Sequence, residues 1–157
     1  MSEHKTNVMR ILDKAKVQYA HYCYEGTGAI SGIEVASVLN QNPKQVFKTL
    51  VTVGKSKQHY VFVIPVEAEL DLKKAAHSVG EKSVEMLKLK ELLPLTGYVH
   101  GGCSPIGMKK FFPTVIDSSA QNFESIIFSA GKIGYQVQVS LTDLQKIIKF
   151  QLSPVLV

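Results

Sequence analysis

A lysine inside an otherwise apolar strand is the residue that first invites a chemical reading. In Val46-Phe47-Lys48-Thr49-Leu50-Val51, alternation puts Val46, Lys48 and Leu50 on one face. Such an ammonium either runs its stem out to the sheet rim or points into a pocket. In a pocket it would hold an anionic or carbonyl group. The plain alternative is a lysine on a solvated strand face. A second stretch, Gly101-Gly102-Cys103-Ser104-Pro105, continues into Ile106-Gly107. Paired glycines let backbone amides approach a ligand, and the proline stiffens the loop. The same composition also serves as a structural turn. A third, Ser129-Ala130-Gly131-Lys132, reads as a turn. It lacks the G-x-x-x-x-G-K-[ST] spacing, which excludes a Walker phosphate loop.

Two other chemistries fit poorly. His100 and Cys103 are potential metal ligands, but tetrahedral zinc needs more, and no second pair has the right spacing. No metal and no cofactor are expected. Cys103 with a histidine could form a nucleophile pair, yet nothing in the sequence supplies the orienting third group. Cys23 and Cys103 lie far apart, form no CxxC, and are expected to be reduced.

The elements that must position these residues belong to a chain of 157 residues, which suits one domain spanning residues 1–157. Hydrophobic residues make up 45%, enough for a core. No apolar run approaches the ~20 residues of a membrane helix, so no membrane partner is expected. Met1 to Lys5 is polar and does not read as a secretory signal, which makes the cytoplasm the expected location. The formal charge of +5 permits a polyanion such as RNA. Arg10 is the sole arginine, so base reading by arginine forks, and DNA as a partner, are not expected.

Helical spacing marks Thr6 to Lys16, with Val8, Ile11, Leu12 and Ala15 inward. Val17 to Tyr24 reads as a strand. Ser31-Gly32-Ile33-Glu34 is a capping-box pattern that opens a helix through Leu39, with Val35, Val38 and Leu39 inward. Val46 to Val53 and His59 to Val66 form a hairpin across Gly54-Lys55-Ser56-Lys57, its second strand buried on both faces. Asp71 caps a helix with Leu72, Ala75, Ala76 and Val79 inward, stopped by Gly80. A further helical stretch is expected around Ser83 to Leu93. Gly97 to Gly107 is a loop. Thr114 to Asp117, Ser125 to Ser129 and Tyr135 to Val139 are strands, and Ser140 opens a last helix reaching Ile148. These elements predict a mixed α/β domain with a barrel-like sheet of about six strands and helices outside.

In order along the chain, the lysine strand, Pro65-Val66, Glu69 to Ala76, Val84-Glu85-Met86, Thr96-Gly97-Tyr98, Gly101 to Lys110, Pro113 to Asp117 and Ser129 to Lys132 resemble the YbaK/EbsC family. That family is related to the editing insertion of bacterial prolyl-tRNA synthetases. The likeness runs from about Val8 to Ile148. It implies an α/β fold and hydrolysis of mischarged aminoacyl-tRNA in trans, with cysteinyl-tRNA(Pro), and also cysteinyl-tRNA(Cys), as substrate. Alternatives within the resemblance are alanyl-tRNA(Pro) deacylation, or a non-catalytic tRNA-end or synthetase-binding protein of the regulatory EbsC kind. The implied partners are the tRNA acceptor end and prolyl-tRNA synthetase. The family lysine falls on Lys48 and the glycine-to-proline loop on Gly101 to Pro105. Lys48, Gly101 and Gly102 are thereby implied as catalytic. Ser104, Pro105, Ser129 and Gly131 are implied as substrate-binding. The chain departs from the pattern at Gln136 and Gln138, where acids are common, at Ile133 for an arginine, and at Cys103 for an aliphatic residue.

Overall fold

The computed structural model describes residues 5–157; most of the N-terminal stretch read above as lacking a signal, Met1 to His4, lies outside the described residues. Helix α1, Asn7–Lys14, starts where the Thr6 hydroxyl accepts from the Met9 amide, and it buries Val8, Met9 and Leu12. Strand β1 is Ala20–Cys23. Helix α2, Gly32–Val38, carries the expected capping box between Ser31 and Glu34. It buries Val35 and Ala36, whereas Val38 is exposed, because Ala36 takes the contact expected of Val38.

The hairpin forms as expected from β2, Phe47–Gly54, and β3, His59–Pro65. After its first residue, β3 is buried throughout. Helix α3, Leu72–Val79, has Asp71 accepting from the amides of Lys73 and Lys74, and Gly80 in the left-handed region at φ 73° closes it. Ala75 and Ala76 are buried, while Leu72 is exposed.

The expected helix at Ser83 to Leu93 is instead a short strand β4, Val84–Met86, followed by α4, Leu89–Thr96. The strand exists because the end of β2 offers it a free edge, Thr52 opposite Met86 and Gly54 opposite Val84. Beyond lie β5, Thr114–Asp117, a 3-10 turn at Ser118–Asn122, β6, Ser125–Ser129, and β7, Tyr135–Ser140. Helix α5 spans only Leu141–Leu144, shorter than expected, and the chain goes on to strand β8, Gln151–Ser153.

The described residues thus form eight strands in two sheets, ordered β1-β7-β6 and β4-β2-β3-β5-β8. The mixed α/β class is as expected, but the sheets do not close into a barrel. They touch through one parallel bridge, Val46 to Ile127, supported by the Ile127 amide donating to the Gln45 carbonyl at 3.1 Å. The main core lies on one side, with Phe47, Val51, Val61 and Val63 meeting Ile126, Phe128, Val137 and Val139. A second cluster holds α3 on the other side of the larger sheet, through Phe62, Ile64, Ala75 and Ala76. A third, of Ala36, Val46, Val66 and Ile127, seats α2 over the junction between the sheets.

Asp117 ties the end of the chain to this frame. Its carboxylate accepts from the Ser119 amide and from the Val155 amide, both at 3.0 Å, and both Asp117 and Val155 are buried. Removing it leaves two donors without partners. Asp117→Ala is expected to lose roughly 2–4 kcal/mol in urea unfolding, and Asp117→Asn less, because one acceptor oxygen survives. Unchanged stability of Asp117→Ala would remove this anchor.

Candidate functional site

One edge of β2 is shared by two neighbours. At its start it meets β6 through Val46, and at its end it pairs with β4 from Thr52 onward. Between them the edge is forked. Val51 gives its carbonyl to the Leu87 amide at 3.0 Å, and Gln45 gives its own to Ile127. Thr49 lies on this edge between the two, with no register partner in β6 or β4. Its hydroxyl is buried and unpartnered.

The register places the polar residues around this fork in one row. Tyr22 in β1 is opposite Gln136 in β7, and Gln136 is opposite Ser129 in β6. Lys48 is two residues past Val46, as Ser129 is two past Ile127, so both lie on the face of the Val46–Ile127 bridge, on either side of the split. Partners across a ladder share a face, as do residues two apart. Tyr22, Gln136 and Ser129 therefore form one cross-strand row on the α2 side, and Lys48 joins its face across the split. Strand alternation marked Lys48, and the family resemblance implied Ser129. Tyr22 carried no sequence signal, and Gln136 stood out only as a departure.

Three of these groups are neutral. The Gln41 side-chain amide donates to Gln136 Oε1 at 2.8 Å, tying the end of α2 to the row, while Gln41 Oε1 is buried without a partner. Tyr22 Oη donates to Gln138 Oε1, and Gln138 Nε2 donates to Ser125 Oγ at 2.7 Å. Lys48 is the row's cation. Partial burial pushes its pKa below the ordinary lysine value, with Glu69 opposing.

The glycine loop joins the row through the turn after Ser129. A side chain at Gly102 would meet the Ile133 backbone nitrogen at 3.2 Å, and one at Gly101 would meet the Ile133 side chain at 3.7 Å. Gly101 is exposed, with φ 91°. Gly102 is buried, and its amide already donates to the Val99 carbonyl at 3.0 Å. Ser104 and Pro105 are buried too, and Ser104 Oγ accepts from the Ile106 amide at 3.3 Å. Tyr98 Oη donates to the Ile106 carbonyl, closing the loop from below. Gly131, at φ 88°, packs so tightly on Tyr98 and Val8 that a side chain would meet both at 3.0 Å. Its amide donates to Ser129 Oγ at 3.1 Å. Of the implied site residues in the loop and turn, Gly101 is exposed and Ser129 and Gly131 are partly so, whereas Gly102, Ser104 and Pro105 are buried.

Cys103 is buried beside Tyr98, and burial pushes its thiol up to about 12. A neutral, enclosed thiol is a poor nucleophile. Cys23 is exposed, so the two cysteines are both free but differ in access. Among the described residues, no group of three His, Cys, Asp or Glu side chains is placed to hold a metal ion. No helix of the described chain is long and apolar enough to cross a membrane.

Fold and site together define a mixed α/β domain with polar groups gathered at a split between two sheets. The chain belongs to the aminoacyl-tRNA editing domain family, whose model matches residues 29–147. It is 48% identical over 140 residues to EbsC of Enterococcus faecalis, a candidate Cys-tRNA(Pro)/Cys-tRNA(Cys) deacylase, covering 88% of this chain and 85% of that one. It is 29% identical to a proline–tRNA ligase of Shouchella clausii over 102 residues, 65% of this chain but 18% of the ligase. A crystal structure of a candidate trans-editing enzyme for prolyl-tRNA synthetase shares the fold at TM-score 0.82 and 20% identity, covering 98% of this chain and 99% of that one. A hypothetical protein of known structure shares it at TM-score 0.87 and 18% identity, covering 97% and 100%.

Two measurements check this geometry. In the native protein a thiol reagent at pH 8 should modify Cys23 promptly and leave Cys103 untouched until denaturant is added; equal labelling would put Cys103 in reach. Gly102→Val should lower the melting temperature, because its methyls must displace the Lys132–Ile133 turn. This differs from the sequence expectation of an approach path for ligand at an intact fold. A variant that melts like the parent would restore that expectation.

Proposed function

We propose that this chain removes cysteine from mischarged tRNA(Pro), and secondarily from cysteinyl-tRNA(Cys), acting as one editing domain on the aminoacylated 3′ end. The observation that carries this is the cross-strand row of Tyr22, Gln136 and Ser129 with Lys48 on the same face across the split. It offers one cation, several neutral hydrogen-bonding groups and no exposed protein nucleophile. The ester to the terminal ribose is already activated, so orientation can supply most of the acceleration.

Lys48 holds the negatively charged end of the acceptor, and Ser129 with Gln136 orients the aminoacyl group. Gly101 brings backbone close to the ester carbonyl; the Gly102 amide, committed to Val99, does not serve it. The substrate thiol attacks its own carbonyl carbon. A carbon–sulfur bond forms, the ester carbon–oxygen bond breaks, and the ribose oxygen leaves with a proton. The cyclic thioester then hydrolyses to cysteine. Selectivity follows because the nucleophile is supplied by the amino acid. The similarity to the ligase supports prolyl-tRNA synthetase as the enzyme whose errors this chain corrects, with the cytoplasm as the place of action in this reading.

Deacylation of cysteinyl- and alanyl-tRNA(Pro) by the purified protein tests the reading. The cysteinyl ester should be cleaved and the alanyl ester left, since alanine has no thiol. Lys48→Ala should lower kcat/KM roughly ten- to a hundredfold, the loss of a charge-assisted contact of about 1.5–3 kcal/mol. Lys48→Arg should recover only part, because a planar fork demands other geometry. The lowered lysine pKa also sets a sign for stability. A protonated Lys48 costs the folded state, and that cost fades as pH rises through the folded pKa toward the unfolded one. Lys48→Met should therefore be more stable than the parent at neutral pH, with the gain shrinking as pH nears 10.5. Parent-like turnover by Lys48→Ala would remove it from the site. A collapsed melting temperature would make it structural.

A further inference from the structure

A groove of about 820 Å³ lies at the far end of the β1-β7-β6 sheet, and nothing in the aminoacyl-end reading uses it. It begins where the row leaves off. One step along the ladder from Tyr22, Gln136 and Ser129 stand Ala20, Gln138 and Ile127, and one step further Ser140 faces Ser125. Four residues of strand span about 13 Å. The hydrogen-bond chain from Tyr22 through Gln138 to Ser125 runs along this path.

The groove lining is polar but short of free charge. Gln18, Ser125, Gln138 and Ser140 offer amides and hydroxyls. Asp13 is neutralised by Lys5 at 2.6 Å, and Asp143 by Lys146 at 3.0 Å. Tyr19 and His21 stand on one face of the edge strand, their ring centroids 6.4 Å apart, and Gln18, Ala20 and Gln138 on the other, so the groove wraps that edge. His21 and Gln18 are exposed. Rings beside neutral donors and acceptors, without unpaired cations, suit bases and riboses rather than phosphates.

We propose that this groove holds the unpaired nucleotides preceding the terminal adenosine of the tRNA, with one base stacked at Tyr19 and His21 on one face of the edge strand and a neighbouring nucleotide meeting Gln18 and Gln138 on the other. This rests on the reading of the row as the aminoacyl-end site, since it follows the strand leading out of that site. It assigns Gln18 to His21, leading into and opening β1, to RNA recognition and leaves the aminoacyl end to the row.

The test is fluorescence anisotropy with an uncharged RNA hairpin ending in single-stranded CCA, compared with one carrying abasic residues at the two cytidines. The double variant Gln18→Ala/His21→Ala should bind the intact hairpin about tenfold more weakly, the loss of one stacked base. It should bind the abasic hairpin like the parent, and His21→Phe should keep parental affinity. Parental binding of the intact hairpin by the double variant, or an equal loss on both hairpins, overturns the proposal. Turnover is read separately: cysteinyl ester of adenosine alone should be cleaved equally by parent and double variant. Absence of any cleavage by the parent sinks the deacylase reading, while the hairpin affinities still decide the groove.

Discussion

The contact between Val46 and Ile127 holds the two sheets in the relation on which the site depends. As hydrogen bonding it is slight: one bridge, with the amide-carbonyl pair beside it contributing about 0.5–1.5 kcal/mol net. Burial is larger. Val46 and Ile127 are both almost wholly enclosed with Ala36 and Val66, and each such side chain contributes about 1.5–3 kcal/mol. Packing therefore fixes the junction, and the bridge fixes its register. A slip of one residue would send Lys48 or Ser129 to the opposite face. The fork beyond the junction is the necessary result of β2 lending one edge to β6 and β4 in turn.

A site made from a fork needs few reactive residues. The row is neutral apart from Lys48, and burial disfavours the charge it carries. An anionic ligand end would reverse that penalty, so the lysine is costly until the site is occupied. Around it the supports are backbone and packing. Tyr98 holds the Ile106 carbonyl, Gly102 fits against the Lys132–Ile133 turn, and Gly131 fits between Tyr98 and Val8. Turn, loop and α1 are thus locked together through glycines. Cys103, the most reactive residue type in the loop, is spent on filling the core.

The wall of the same turn is held from outside as well. Tyr135 donates to Glu25 at 2.5 Å, a bond that, with burial, pushes its hydroxyl up to about 12. Lys132 lies over its ring at 5.3 Å. Gly134 leaves room for Glu25, whose side chain would otherwise collide with a β-carbon there. The segment after β1 is thereby pinned to the turn that carries Gly131. This couples the proposed base-reading strand to the proposed chemical site without a shared catalytic residue.

Local chemistry alone determined much of this protein. The capping box at Ser31, the Asp71 cap, the hairpin around Gly54 and the alternation that isolates Lys48 are all decided within a few residues, where sterics and nearby hydrogen bonds suffice. The ordered motifs likewise pointed to the aminoacyl-tRNA editing family. The strands β4 and β8 were not legible, because three-residue segments form only when a distant edge accepts them. Burial of Ser104 and Pro105 was hidden for a related reason: a polar or cyclic residue in a glycine-rich loop looks exposed until the core closes over it. The row itself was beyond the sequence. Tyr22, Lys48, Ser129 and Gln136 are dispersed over more than two-thirds of the chain, and only strand register brings them to one face.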